Sequence, residues 1–195
     1  MTVAQLLAFQ YRRTQQRILR VAEELDDEQL RRTWPHANSI GFDVWHCARW
    51  ADHLQSILPD ATPALRTRLG RRDELWQRDG LARRWSFPAE LGQVETGMGM
   101  DESIAASLPL PPKAALLDYV RAAFDLSADV VDRLEDADLP VDATIDDARA
   151  PWLSGRADKG PVGNWVLTYD GHANRHLGMI ELRRGLLGMR GTATV

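Results

Sequence analysis

A single cysteine, Cys47, among 195 residues leaves no partner for an internal disulfide, which suits a reducing compartment. Long apolar runs are missing as well, so no segment reads as a membrane span and no membrane partner is expected. The opening Met-Thr-Val-Ala-Gln leads into helix-like sequence where an export signal would place positive charge and then an apolar stretch, and the expectation is a cytoplasmic protein. Nor is there an excess of positive charge. The formal net charge of -4 argues against a broad electrostatic footprint for nucleic acid. Arg12, Arg13, Arg17, Arg20, Arg31 and Arg32 are interleaved with Glu23, Glu24, Asp26 and Asp27, the pattern of a solvated helix face. There is no internal repeat and no low-complexity tract, and Ser154 lacks a nucleophile-elbow context.

What is present is helical periodicity. With 44% hydrophobic residues the chain can bury a full core, and its length suits one domain, taken as residues 1–195. A first helical pattern runs from about Thr2 to Leu25 with Val3, Leu6, Leu7, Ile18, Val21 and Leu25 on its inner side, interrupted by Gln10 and Thr14. Asp26 and Gln29 form a capping-box pattern for a short turn, and Pro35 separates it from a second helix. That helix spans Ser39 to Leu58, with Ile40, Val44, Cys47, Ala51, Leu54 and Leu58 as its main stripe and Phe42, His46, Trp50 and Ile57 beside it. A third follows Pro111 and Pro112 and runs to about Glu135, with Ala115, Leu116, Val120, Ala123, Val130 and Leu134 inward. The excursion between the second and third, about 59–112, is too long for a turn and reads as a crossover with a short helix near 73–85. Its length lets the second and third helices run parallel, giving an all-α four-helix bundle.

The fourth pattern carries the chemistry. Between Gly160 and Gly188, Val162, Trp165, Val166, Tyr169, His172, Ala173, His176 and Ile180 follow the rhythm of a buried stripe. His172 and His176 occupy positions where apolar residues would be expected. Imidazoles at i and i+4 share a helix face and can converge on one cation, and buried rings need partners for both nitrogens. The pair alone also occurs by chance on helices; a third ligand strengthens it. His46, near the middle of the second helix, supplies one if the two helices pack side by side.

These residues carry a family resemblance. Ser-Ile-Gly-Phe-Asp-Val-Trp-His-Cys-Ala-Arg-Trp at 39–50, His-Ala-Asn-Arg-His-Leu-Gly-Met-Ile-Glu at 172–181 and the closing Gly-Thr-Ala-Thr-Val at 191–195 resemble the DinB-like superfamily. These four-helix-bundle metalloproteins include thiol-dependent (mycothiol-dependent) maleylpyruvate isomerases. The resemblance implies a metal triad of His46, His172 and His176, the crossover topology and a homodimer. Some members carry glutamate where this chain has His172. Three neutral imidazoles suit zinc, nickel or ferrous iron. The reaction classes implied are, first, thiol-cofactor transfer or isomerisation of a small molecule, with a low-molecular-weight thiol as a further cofactor, and second, hydrolysis. The alternative is a non-catalytic metal-binding stress-response or dimerisation module.

Other residues are candidates of lower rank. Gln10, Thr14, Trp50, Met98 and Met100 are candidate walls for substrate or cofactor, the last two in a glycine-flanked lid at 95–100. Plain core packing or surface turns account for the same residues. Glu95 and Asp101 read as solvated carboxylates, or as carboxylates brought over the metal. His53 is too far along its helix to share an ion with His46 but can hydrogen-bond a substrate. His36 is expected exposed, and Cys47 a small buried apolar group. Trp45, Trp50, Trp76, Trp85, Trp152 and Trp165 are foremost core groups. Gly171 and Gly178, seven residues apart, suggest a close approach by another helix, within the bundle or across a dimer.

Overall fold

In the computed structural model, which describes residues 1–145, 148–150 and 160–190, four long helices form the frame. They are α1 (Val3–Glu24), α3 (Ile40–Ile57), α8 (Lys113–Asp132) and α9 (Val162–Leu186). Local chemistry starts each one. Thr2 caps α1 in a reciprocal box with Gln5, and Ser39 accepts from the Phe42 amide to open α3. Pro112 and Pro161 stand immediately before α8 and α9, where a missing N–H costs nothing. The Asp26–Gln29 box opens α2 (Asp27–Arg31) as the sequence suggests, and Asp27 then accepts from the first amide of α8 at 2.9 Å.

Both α1 and α3 pack against α8 and α9. Contacts along the helices give their directions. Gln15 meets Ser127 and Glu23 meets Arg121, so α1 and α8 are antiparallel; Thr14 meets Asn174 and Glu24 meets Arg184, so α1 and α9 are parallel. His46 with His172 and Asp43 with Arg183 make α3 and α9 antiparallel. Helices α3 and α8 therefore run parallel, as the long crossover allows. That crossover carries a 3-10 turn at Leu58–Asp60 and four short helices: α4 (Pro63–Leu69), α5 (Leu75–Arg78), α6 (Leu81–Arg84) and α7 (Glu102–Ala106). The single helix expected near 73–85 is two separate turns. Gly80, at φ 58, adopts a left-handed conformation between them and ends the first.

The inner face of α1 is a correction. Ile18, Val21 and Leu25 are buried, but Val3 and Leu6 are 64% and 52% exposed, and Ala4, Ala8 and Tyr11 point inward instead. Alanines present too little apolar area to mark a stripe, yet they let α1 approach its neighbours closely. Buried apolar side chains fall into two clusters. One holds Ile18, Ile40, Trp45, Trp76, Leu116 and Ile180. The other holds Tyr11, Trp50, Leu54, Val130, Val166 and Tyr169. In α3 His46 lies between residues of the two clusters, and in α9 so do His172 and His176.

A buried polar network fastens the crossover to α3. Arg49, with none of its side chain exposed, donates to Asp52 (3.1 Å), Tyr119 Oη (3.3 Å) and Glu74 (2.7 Å). Asp52 also accepts the backbone amides of Leu75 and Trp76, both at 2.9 Å. Glu74 in turn meets His53 Nδ1 at 3.0 Å. Burial alone would raise the Glu74 carboxyl, but the His53 hydrogen bond and the Arg49 charge bring it down to about 2 from 4.5. A carboxylate held below its unfolded value stabilises the fold fully above that value and loses the contribution as pH falls toward the folded one. Between pH 4.5 and 2 the wild type should therefore lose up to about 3 kcal/mol through this group. Urea unfolding at a series of pH values should show a correspondingly shallower acid dependence for Glu74→Gln; identical slopes for both proteins would contradict the assignment.

Candidate metal centre

His46 comes from the middle of α3 and His172 and His176 from successive turns of α9, so the antiparallel packing of these helices brings three rings together. His46 Nε2 and His172 Nε2 are 2.9 Å apart, and ligand atoms from all three rings lie within 4.8 Å of one another. Ligand atoms around a tetrahedral ion, at about 2.0–2.1 Å from it, stand about 3.3 Å from each other. The cluster thus has the dimensions and the donor chemistry that fit a divalent transition metal. His46 is buried, whereas His172 and His176 are half-buried.

Each outer nitrogen that can be assigned is held by an acceptor. The Thr96 backbone carbonyl meets His46 Nδ1, which must therefore be N–H, leaving Nε2 as the lone-pair atom facing His172. His176 Nδ1 donates to Asp43 Oδ1 at 3.1 Å, which frees its Nε2 in the same way. Asp43 is itself fully buried and paired with Arg183. A carboxylate or carbonyl behind a ligating imidazole is the usual device for fixing its tautomer and orientation. Burial and the neighbouring His176 push the pKa of His46 down to about 4. Burial, with His46 and His176 adding to it, pushes His172 down to about 2. Both rings are neutral at pH 7 and their lone pairs are available.

Aromatic rings wall the cluster. Trp50 stacks on His172 with centroids 3.9 Å apart and planes 15° from parallel, Phe42 stacks on His46 at 5.8 Å, and Tyr169 meets Trp50 edge-on at 4.9 Å. Of the candidate walls, Trp50 is thus at the histidines. Gln10 is not: it lines an apolar groove between α1 and α9 with Leu6, Leu7, Asn164 and Leu167. Thr14 is buried, but its hydroxyl accepts from Asn174 and donates to the Gln10 carbonyl, facing the α1–α9 seam. Met98 and Met100 pack against the two different apolar clusters. Their loop nevertheless covers the site through its backbone, since a Cβ added at Gly97 would stand 3.1 Å from His46 Nδ1.

The remaining candidates find structural roles. Glu95 accepts from Trp76 Nε1 (2.7 Å) and Gln77 (2.9 Å). Asp101 caps α7. His53 is buried between Glu74 and the Arg149 carbonyl. His36 is exposed at φ 57. Cys47 is buried, and burial raises its thiol well above the ordinary value, so any reactive thiol must come from another molecule. Trp152, Ser154 and the motif at 191–195 lie outside the described residues. Sequence reasoning missed Asp43, Arg183 and the Thr96 carbonyl. Asp43 did leave a signal, as an acidic residue three before His46 inside an otherwise apolar stretch; a backbone carbonyl leaves none.

No curated protein matches. A solved structure, described as a conserved protein from Enterococcus faecalis, superimposes with a TM-score of 0.69 at 21% identity, over 96% of this chain and 99% of that one. At that identity the likeness concerns the fold. The profile of the DinB superfamily matches residues 10–180, which include all three histidines, and the chain belongs to that superfamily.

Proposed function

We propose that the protein binds one divalent transition metal through His46, His172 and His176 and uses it on a small-molecule substrate. The observation that carries this reading is the convergence of three imidazoles within 4.8 Å, two of them with Nδ1 held by Asp43 and Thr96. Zinc, nickel and ferrous iron all accept such a donor set. A bound ion of this kind supplies Lewis acidity and lowers the pKa of a water or thiol bound beside it. The chain's own residues do the rest. Asp43 and the Thr96 carbonyl orient the rings, Trp50 and Phe42 shield them from water, and Arg183 pairs with Asp43 from behind.

Among the described residues three candidate ligands, not four, come together, which favours a reacting centre over a structural one. Membership of the DinB superfamily adds thiol-dependent transfer or isomerisation as the leading class, with hydrolysis second; a non-catalytic metal-binding module is the alternative. A cleft of about 640 Å³ that includes Met179 and Arg183, three and seven residues after His176, is a candidate place for the organic substrate. Protein purified without chelator should carry or take up about one zinc or nickel per chain. His176→Ala should abolish tight binding while His53→Gln leaves it within about twofold, because His53 serves Glu74 instead. Elemental analysis showing no uptake by the wild type, or equal losses in both variants, would overturn the ligand assignment.

Assembly as a homodimer is proposed as well, on a specific observation. Leu167, Leu182 and Leu186 of α9 are exposed, as are Val3, Leu6 and Phe9 of the neighbouring α1. Gly171 and Gly178 have nothing within 4 Å of an added Cβ, so no helix of the same bundle explains them. Exposed apolar area of this kind on a parallel helix pair is suited to a second copy. Light scattering should report twice the monomer mass at micromolar concentration, falling on Leu182→Glu; monomeric wild type would end this proposal.

A further inference from the structure

Two residues of the loop over His46 adopt a backbone conformation that side chains other than glycine rarely take: Val94 at φ 43 and Glu95 at φ 54. Val94 is β-branched, so its left-handed conformation is the more costly, and such strain persists only where surrounding structure imposes it. The imposing group is identifiable. Arg49 Nε donates to the Glu95 carbonyl at 2.9 Å, and its Nη2 donates to the Val94 carbonyl at 3.2 Å. The guanidinium lies 5.0 Å over the Trp76 ring and is fixed from behind by Asp52, Glu74 and Tyr119.

The strained turn leads directly to the site. Thr96, with no exposed surface, presents its carbonyl to His46 Nδ1, and Gly97 follows against Trp45, His46 and Phe42. We infer that Arg49 is a positioning residue for the histidine cluster: by holding the Val94–Glu95 turn it sets the Thr96 carbonyl on His46 Nδ1 and so keeps Nε2 aimed at His172. Arg49 is one helical turn beyond His46, so the same rigid element fixes both the ring and the clamp that orients it. An arginine is suited to this task because its planar fork serves carbonyls and carboxylates together, which a lysine ammonium cannot do. The metal-affinity part of the test rests on the three-histidine reading above; the tautomer part does not.

The test combines Arg49→Lys, Gly97→Ala and the double variant Arg49→Lys/Val94→Gly. Long-range nitrogen–proton NMR on the metal-free protein reads the His46 tautomer, and competition with a chromogenic chelator reads zinc affinity. Wild type should show the proton on Nδ1. Arg49→Lys and Gly97→Ala, whose added Cβ pushes the loop off the ring, should both show mixed tautomers and bind zinc about 10–100-fold more weakly, the usual loss when a group behind a ligand is removed. Val94→Gly should restore both readings in the lysine variant, since glycine holds the turn without a clamp; a role confined to core stability would show no such rescue. Should Arg49→Lys fail to fold, Arg49→Gln/Glu74→Gln takes its place. It removes the carboxylate that loss of the guanidinium strands, and Asp52 keeps its donors at Leu75, Trp76 and Tyr119. An unchanged His46 tautomer in the Arg49 variant, or no rescue by Val94→Gly, overturns the inference. If wild type takes up no zinc, the metal reading fails alone and the tautomer still decides the role of Arg49.

Discussion

Burial of the Arg49 guanidinium couples the parts of this protein. A cation without solvent must be matched by anions and acceptors, and breaking one side of such a pair costs several kcal/mol. Here the matching groups come from α3, α8 and the crossover: Asp52, Tyr119, Glu74 and the carbonyls of Val94 and Glu95. Packing of the four long helices brings the three histidines into one region, but helix packing alone does not orient an imidazole. Orientation comes from acceptors behind the rings, one delivered by the crossover through Thr96 and one by α3 through Asp43. A second buried ion pair, Asp43 with Arg183, does for His176 what the Arg49 network does for His46.

Much of this was legible because it is periodic. The apolar stripes of α3, α8 and α9, the prolines before α8, and the i, i+4 histidines on an apolar face all follow from helix geometry, and they point to an all-α bundle with a cluster at mid-height. What was not legible has identifiable causes. Ala4 and Ala8 carry too little hydrophobicity to set the phase of α1, so larger residues that are exposed, Val3 and Leu6, took their place. Gln10 and Thr14 break that same stripe, and their reading as cavity walls depended on its phase; Thr14 instead serves Asn174 across the α1–α9 seam. Within the crossover, short helices rest on tertiary hydrogen bonds such as those from Leu75 and Trp76 to Asp52, which leave no periodic trace.

The electrostatics of the cluster are consistent with a site built for a cation. Two of its rings are held neutral by burial, and the carboxylate that meets the cluster, Asp43, is already committed to His176 and Arg183. The positive charge that such a site lacks is what a divalent ion would bring. Cys47, although next to His46 in sequence, is buried and lies outside the group of three imidazoles, so the donor atoms brought together there are nitrogens. X-ray absorption on the zinc- or nickel-loaded protein tests this most directly. The account predicts three imidazole nitrogens at about 2.0–2.1 Å, completed by light atoms and no sulfur; a sulfur shell near 2.3 Å, or fewer than three imidazoles, would contradict it.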